Sequence, residues 1–385
     1  MSTSTPHGPT DTPTPSRSEL FSPVSFRNGV TAKNRVALAP MTNVQSHDDG
    51  SLSDDELAWL VRRARGGFGL IETCAAHVSP EGQGFPGELG VFDDRLLPGL
   101  TRLATALRSE GAQSSVPSVP PVSIVQLFHG GARASQRLTG QRSFSASEQP
   151  SDPENPRAAT EEDIVRTIAA FRAAALRALR AGFDGVELHG AHGYILGQFL
   201  SRTQNQRSDG WGGDLAGRAR FLREALRAVR AAVPASFVVG VRLSPEDFGQ
   251  AKGLDLDESL QVASWLCEDG IDFLHVSLWQ AQRNTQKRPS EHAMPLFRKA
   301  CPSDVRLIAA GAVWTVEEAQ ALLDKGTDIV ALGRAAIANP DWPLLARDVA
   351  WSPKRPPLSA AELHERAVSP KLVSYLRNFR GFVAE

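Results

Sequence analysis

The sequence lacks the features that mark several large classes of protein. Only three cysteines occur in 385 residues, Cys74, Cys267 and Cys301, and they are far apart. The chain therefore has neither a CxxC-type zinc or iron–sulfur ligand set nor a disulfide framework. No apolar run is long enough to span a bilayer. Charges of the two signs nearly cancel, with a net charge of −1, which argues against nucleic acid or an anionic membrane as a partner.

The first stretch of the chain has few apolar residues. Residues 1–18 are rich in Ser, Thr and Pro and have no apolar segment of the kind that a signal peptide carries. We expect residues 1–19 to form a disordered tail, because this composition buries too little surface to offset the entropy of ordering. A cytoplasmic protein is the expectation that follows.

From Lys33 onward the sequence alternates short apolar runs with longer amphipathic segments. The runs are continuous and rich in β-branched residues, as in parallel strands that are buried on both faces. Capping-box patterns at Ser53, Thr160 and Thr315 predict the starts of three of the helices between them. The eight runs are Val36–Pro40, Phe68–Ala75, Val122–Phe128, Gly185–His189, Val238–Ser244, Phe273–Ser277, Arg306–Gly311 and Ile329–Arg334.

Eight strands alternating with helices predict a closed (β/α)8 TIM barrel, a single domain over residues 20–350. A doubly wound open sheet is the alternative, but it would have a glycine fingerprint after its first strand, and the first run ends instead in Ala39-Pro40-Met41-Thr42. Long loops, Gly130–Ala159 and Ser201–Gly217, follow strands three and four on the C-terminal face. Residues 351–385 are predicted to form a helical tail beyond the barrel.

The ends of the last two strands indicate a phosphate site. Gly311 follows strand seven and the pair Gly333-Arg334 follows strand eight. Glycine turns at these two positions let backbone N–H groups approach a phosphate closely, and Arg334 can add a charge-assisted contact. The alternative is two ordinary turn glycines and a surface arginine.

Strand four ends in His189-Gly-Ala-His192-Gly-Tyr194. The two imidazoles could be metal ligands, hydrogen-bond donors to a ligand oxygen, or simply buried and satisfied. Zinc would need a third ligand, for which Glu72 is the only plausible carboxylate, so no metal is predicted. Tyr194 is one of two tyrosines, the other being Tyr375 in the tail, and a phenol is a competent proton donor to a carbanion.

Arg242 ends the fifth apolar strand, where a charge must be paired or must serve an anion. It would stabilise the anionic N1–C2=O edge of a reduced flavin, or else form an inward salt bridge to Glu72 or Glu187. No lysine ends a strand, so a Schiff-base aldolase is disfavoured, and no His-x-His in strand one marks a metallohydrolase. The pattern favours cofactor chemistry.

From about residue 20 to residue 346 the chain resembles the Old Yellow Enzyme family. The resemblance depends on the order and spacing of many motifs, each of which would be weak alone. They are Lys33-Asn-Arg-Val-Ala-Leu-Ala-Pro-Met-Thr42, Val78-Ser-Pro-Glu-Gly82, Val125-Gln-Leu-Phe-His-Gly130, Val186-Glu-Leu-His-Gly-Ala-His-Gly-Tyr194, Gln198-Phe-Leu-Ser201, Gly212-Gly213, Arg218-Ala-Arg-Phe221, Val241-Arg-Leu-Ser244 and Leu332-Gly-Arg-Ala-Ala-Ile-Ala-Asn-Pro340.

This resemblance implies an FMN-dependent ene-reductase that uses NAD(P)H to reduce activated C=C bonds in enones, enals, maleimides and nitroalkenes. Hydride would pass from flavin N5 to the β-carbon, His189 and His192 would bind the substrate oxygen, and Tyr194 would protonate the α-carbon. Phe128 and Trp279 would shape the substrate site. The FMN-binding residues implied are Pro40, Met41, Thr42, Ala75, Gln126, His189, Arg242, Gly311, Gly333 and Arg334.

The sequence also departs from the family pattern. Thr42 stands where members with two histidines often carry Cys, and Trp211 stands where Tyr is usual. Arg377 and Arg380 resemble a C-terminal arginine that some members insert into a partner's active site; the alternative is a solvated helix face. Whether the protein forms a homo-oligomer therefore stays an open question. Two rival functions remain, a non-redox phosphate-binding lyase or isomerase and a barrel that only binds ligands.

Overall fold

A computed structural model describes residues 19–113 and 118–385, and its central feature is a closed parallel barrel. The first strand pairs with both the second and the eighth, which closes the sheet. The predicted TIM barrel is therefore confirmed; apart from Glu19, the tail expected over residues 1–19 lies outside the described residues. The strands are β1 (Val36–Leu38), β2 (Leu70–His77), β3 (Val122–Phe128), β4 (Gly185–His189), β5 (Val238–Leu243), β6 (Phe273–Ser277), β7 (Arg306–Ala310) and β8 (Ile329–Leu332).

A helix lies between each pair of successive strands. Thr160 and Thr315 form complete capping boxes. Ser53 forms only half of one, because Glu56 does not bond back to it and is instead buried against Asn43 and other side chains. The helices are α1 (Asp54–Arg65), α2 (Leu97–Ala112), α3 (Glu161–Ala181), α4 (Leu215–Ala232), α5 (Leu256–Glu268), α6 (Ala293–Ala300), α7 (Val316–Leu323) and α8 (Arg334–Ala338, after β8).

Shorter elements fill the connections. A hairpin, Val24–Ser25 with Thr31–Ala32, lies at the N-terminal end of the barrel and brings Phe26 to 5.9 Å from the ring of Phe273. The others are the strands Leu89–Gly90, Phe144–Ser145 and Arg157–Ala158, the helices Gln136–Thr139, Ile195–Leu200 and Trp342–Leu345, and the 3-10 turns Pro80–Gly82, Asp94–Leu96 and Gly131–Arg133.

The barrel interior changes character along its axis. Because side chains alternate along a strand, every second residue points inward. Next to the hairpin these residues are apolar, as with Val122, Val238 and Ile308. Nearer the carboxyl ends of the strands the buried residues at the same alternation become polar, and they are Glu72, Gln126, Glu187, Arg242 and His275. The polar layer therefore lies directly below the C-terminal face, where barrel enzymes place their active sites.

The C-terminal tail packs back onto the barrel. It contains two helices, Ala360–Glu365 and Pro370–Leu376. The buried Arg63 of α1 anchors it by donating from Nη1 to the Arg366 carbonyl at 2.7 Å. Arg377 and Arg380 are exposed, so their reach into a partner subunit stays a prediction. Among the described residues, the helices are all too short or too polar to cross a membrane.

Candidate active site

A cavity of about 600 Å³ opens at the carboxyl ends of the strands, a size typical of small-molecule sites. It brings together residues from almost every strand and from the tail. The predicted cofactor and catalytic residues that line it are Pro40, Met41, Thr42, Ala75, Gln126, His189, His192, Tyr194, Arg242, Gly311, Gly333 and Arg334.

The two residues predicted to shape the substrate site lie in different places. Trp279 is 62 % exposed at the rim, with its ring 5.3 Å from that of Phe248. Phe128 is fully buried and sits behind Tyr194, with ring centroids 4.4 Å apart in an edge contact. Phe128 does not line the cavity, so any influence on the substrate acts through Tyr194 and through His189, whose ring lies 6.1 Å from that of Phe128.

A strained turn presents the residues that follow β4. His192 has φ +60° and Gly193 has φ +71°, and non-glycine residues in this region are held there by their surroundings. A Cβ on Gly193 would lie 2.4 Å from the Gln250 carbonyl oxygen. The His192 amide donates to Ser244 Oγ at 3.2 Å. These contacts fix the direction in which His192 and Tyr194 leave the strand.

Hydrogen bonds and burial determine the state of the two imidazoles. His189 Nδ1 accepts from the Ala191 amide at 3.3 Å, so its proton is on Nε2. His192 Nε2 lies 2.6 Å from Ser277 Oγ, and that hydroxyl also accepts from Arg242 Nη2 at 3.1 Å. Burial lowers the pKa of both histidines well below the usual value, and nearby positive charge lowers it further. Both imidazoles are therefore neutral at pH 7.

Tyr194 is protonated in this environment. Its ring lies 4.9 Å from that of His189, and the Arg133 guanidinium stacks on it at 4.4 Å from the centroid. Burial raises the pKa of Tyr194 above its ordinary value of 10, although Arg133 opposes the shift. A phenol with a raised pKa keeps its proton at neutral pH and can donate it.

A buried charged cluster lies below the cavity, and the sequence analysis named only part of it. Glu187 accepts from Gln126 Nε2 at 2.7 Å and lies 2.8 Å from His275 Nδ1, which is 3.4 Å from Glu72. Glu72 and Glu187 were expected only as possible partners of Arg242, and His275 was not predicted. Strand alternation could have found this cluster, because His189 and Ser277 face the cavity and Glu187 and His275 each lie two positions earlier.

Arg242 lies close to this cluster, but it donates to Ser277 and its Nε has no partner among the described atoms. The ligand atoms of Glu72, Glu187 and His275 lie within 4.8 Å of one another, a spacing that a metal ion would also suit. The guanidinium of Arg242 already places a positive charge beside these three groups, so a proton shared among them is favoured over a metal cation. Burial and Arg242 lower the pKa of His275, but the two carboxylates outweigh them and raise it.

We predict that the cluster makes stability depend on pH. Burial and Glu187 raise the pKa of Glu72 to about 7. Because the folded state holds this proton more tightly, its contribution to stability is complete below the unfolded pKa and is lost as the pH rises through 7. In the wild type the free energy of unfolding should fall between pH 5 and pH 8. In Glu72→Gln this fall should be smaller by about 1–3 kcal/mol, as measured by urea denaturation.

Glu187→Gln is the matched control for that prediction. His275 and Arg242 outweigh burial and lower the pKa of Glu187, so this carboxylate contributes stability that is present above its unfolded pKa. The Glu187 variant should lose stability above pH 5, and it should flatten the profile less than Glu72→Gln does, because burial still raises the pKa of Glu72 when the charge of Glu187 is removed. Parallel profiles for the wild type and both variants would contradict the assignment of these charges.

The opposite end of the cavity holds the residues that were predicted to bind a phosphate. A Cβ on Gly311 would lie 2.8 Å from the Leu278 carbonyl oxygen, so only glycine fits there. Arg334 is exposed to the cavity and, within the described ranges, forms no ion pair with a carboxylate. The unpartnered Nε of Arg242 lies near the other end of the cavity. Arg334 and Arg242 therefore suit an elongated ligand that has a phosphate at one end and a polar ring edge at the other, as FMN does.

Arg334→Ala should weaken FMN binding. The substitution removes one charge-assisted hydrogen bond of about 1.5–3 kcal/mol, which corresponds to about 10–150-fold in Kd. Fluorescence titration of apoprotein with FMN measures this, with Arg172→Ala, an exposed arginine of α3, as the control. An unchanged Kd in the Arg334 variant would contradict the phosphate assignment.

Comparison with known proteins agrees with this geometry. Residues 19–348 match the NADH:flavin oxidoreductase / NADH oxidase family. The chain is 35 % identical over 345 residues to the probable NADH-dependent flavin oxidoreductase YqiG of Bacillus subtilis, covering 87 % of this chain and 89 % of that protein. It is 33 % identical over 342 residues to an NADPH dehydrogenase of Bacillus licheniformis, covering 86 % and 94 %.

A solved structure shows the same architecture. The Old Yellow Enzyme homologue of Zymomonas mobilis has a TM-score of 0.77 and 28 % identity, covering 92 % of this chain and 98 % of that one. The predicted family resemblance is confirmed, and the flavin enzyme is favoured over the lyase, isomerase or binding protein left open earlier. The chain belongs to the NADH:flavin oxidoreductase / NADH oxidase family, and it is an NAD(P)H-dependent FMN oxidoreductase of the Old Yellow Enzyme type.

Proposed function

We propose that this flavin enzyme is an ene-reductase that reduces activated C=C bonds in enones, enals, maleimides and nitroalkenes. One observation carries the proposal: two neutral imidazoles and one protonated phenol converge at the same end of the cavity. Neutral N–H groups bind a carbonyl or nitro oxygen, and the phenol holds a proton for a carbon atom. An enzyme that only passed electrons to O₂ would not need two imidazole donors and a phenol at one end of its cavity.

Each residue has a separate task in this mechanism. Bound FMN supplies the redox chemistry, in which hydride from NAD(P)H is passed on to the β-carbon of the alkene. The Nε2–H of His189 and an N–H of His192 hold the oxygen on which negative charge develops, and they stabilise it most in the transition state. Tyr194 gives its proton to the α-carbon, which completes the saturated product.

Two hydrogen bonds link Arg242 to Ser277 and Ser277 to His192, and they help to orient the His192 imidazole. If Ser277 accepts from Arg242 and donates to His192 Nε2, then His192 carries its proton on Nδ1 and presents that N–H as the donor. The chain of bonds would also polarise the imidazole N–H. Ser277 therefore acts as a positioning residue for His192.

A turnover screen tests the proposed function. FMN-loaded protein is mixed anaerobically with NADH or NADPH and with an enone, a maleimide or a nitroalkene, and the products are identified by mass spectrometry. We expect saturated products, formed in proportion to the nicotinamide consumed. Rapid flavin reduction by nicotinamide with no reduction of any alkene would contradict the proposal.

Thr42 is expected to tune the flavin. Its hydroxyl lines the cavity near the Tyr375 phenol of the tail. A hydroxyl near the N5–O4 edge stabilises the reduced flavin, so Thr42→Ala should lower the midpoint potential. One neutral hydrogen bond of about 0.5–1.5 kcal/mol corresponds to about 10–30 mV for two electrons.

Spectroelectrochemistry with a dye of known potential measures this shift. Tyr375→Phe is the control, because it removes the neighbouring phenol and leaves the Thr42 hydroxyl in place. A rise in potential in the Thr42 variant would contradict this role for the hydroxyl.

A further inference from the structure

One cation in the cavity has no task in the chemistry described so far. Arg133 ends the 3-10 turn Gly131–Arg133 in the long loop after β3 and lines the substrate end of the cavity. Arg242 and Arg334, the other two arginines of the cavity, are accounted for by the flavin. Arg133 is therefore a third positive charge, placed where substrate rather than cofactor would lie.

Arg133 is held in place by its neighbours. Its Nη1 donates to the His192 carbonyl at 3.2 Å, and its guanidinium stacks on the ring of Tyr194. The inner side of that ring is occupied by Phe128. These contacts fix the cation beside the proposed proton donor and leave other N–H groups of the guanidinium, which has five donors, to bind a ligand.

Among the described residues, no anion pairs with the charge of Arg133. Asp and Glu are absent from the cavity lining, and within the described ranges Arg133 forms no ion pair with a carboxylate. Arg242 and Arg334 add to the positive potential. A cavity lined by charges of one sign concentrates ligands of the opposite sign, and a guanidinium binds a carboxylate through two parallel hydrogen bonds.

We propose that Arg133 forms an anion-binding subsite, and that the preferred substrates are activated alkenes with a second, anionic group such as a carboxylate. This inference rests on the proposed ene-reductase function. The carbonyl that activates the alkene would bind to His189 and His192, and the separate carboxylate would bind to Arg133. A 4-oxo-2-enoate has both groups, and no bond of its carboxylate changes in the reaction.

A matched pair of substrates tests the subsite. (E)-4-oxopent-2-enoate and its methyl ester differ in the negative charge, in one methyl group and in activation of the alkene. Because the last two differences are the same for every enzyme variant, the change in the ratio of their kcat/KM values between variants isolates the contribution of the charge. We expect Arg133→Gln to lower the acid-to-ester ratio by about 10–150-fold, and Arg133→Lys to restore part of it. The ratio in the wild type should fall as ionic strength rises. An unchanged ratio in the Gln variant would overturn the proposal.

A binding measurement separates the subsite from a structural role of Arg133. The saturated 4-oxopentanoate cannot be reduced, and its Kd for the FMN-loaded enzyme is measured by calorimetry beside that of its methyl ester. Arg133→Gln should weaken binding of the acid and not of the ester. Equal weakening of both would show that Arg133 only supports Tyr194, and would overturn the proposal.

The anion could instead be the pyrophosphate of the nicotinamide. Stopped-flow reduction of the flavin by NADPH gives the apparent Kd for nicotinamide, which we expect to be the same in the wild type and in Arg133→Gln. Weaker nicotinamide binding with an unchanged acid-to-ester ratio would assign Arg133 to the reductant and overturn the proposal. If the wild type reduces neither substrate, the proposed ene-reductase function is wrong. The anion subsite is then tested by calorimetry alone, from the affinities for 4-oxopentanoate and its methyl ester.

Discussion

Tyr194→Phe is expected to slow enone reduction by about 10²–10⁴-fold, the range that general acid catalysis contributes. The substitution keeps the ring that packs between Phe128 and Arg133 and removes only the hydroxyl. Hydride addition leaves a carbanion at the α-carbon, and the cavity offers no other tyrosine besides Tyr375. Nitroalkene reduction should suffer less, because a nitronate is stable enough to leave unprotonated.

Stopped-flow measurement of the two half-reactions checks this prediction. Reduction of the flavin by nicotinamide needs no proton from Tyr194 and serves as the internal control, so its rate should be nearly unchanged. Arg133→Lys is the matched variant, because it keeps a cation near the ring and leaves the hydroxyl in place. If flavin reduction collapses while enone reduction survives, Tyr194 is not the proton donor.

His189→Ala is expected to lower kcat for enone reduction by about 10²–10³-fold, as the loss of one oxyanion donor does in other enzymes. The Ala191 amide leaves the proton of His189 on Nε2, and burial keeps the ring neutral, so the side chain donates without carrying a charge. His189→Gln retains an N–H donor and should recover part of the rate.

The pattern of kinetic loss distinguishes this role from a structural one. A donor that acts in the transition state lowers kcat and kcat/KM together. A loss confined to FMN affinity, with normal rates in the fully loaded variant, would place His189 in cofactor binding alone. Ser277→Ala complements the test, because it removes the partner of His192 and leaves His189 intact.

Much of the fold could be predicted because local pattern and tertiary structure agree. Val122–Phe128, Gly185–His189 and Phe273–Ser277 are strands with the predicted bounds, since a continuous apolar run has nowhere else to be buried. The carboxyl ends of parallel strands meet on one face, so His189 and Arg242 could be placed in the same site from their positions alone.

Other parts of the site depend on contacts that no local pattern encodes. Tyr375 reaches Thr42 only because the tail folds back over the barrel. That docking depends on the fit of Arg63 to carbonyls such as that of Arg366. Arg133 lies in a polar loop, where local sequence does not determine side-chain direction, and its place beside Tyr194 follows from the turn at Gly131.

The destination of each hydrogen in the product tests whether the flavin delivers hydride to the β-carbon and Tyr194 protonates the α-carbon. An enone is reduced with NADPH in D₂O, and in a second experiment with nicotinamide deuterated at the transferred position in H₂O, and both products are analysed by NMR. We expect one solvent deuterium at the α-carbon and one nicotinamide deuterium at the β-carbon, with the α-label formed far more slowly in Tyr194→Phe. Nicotinamide deuterium at the α-carbon, or no saturated product, would contradict this expectation.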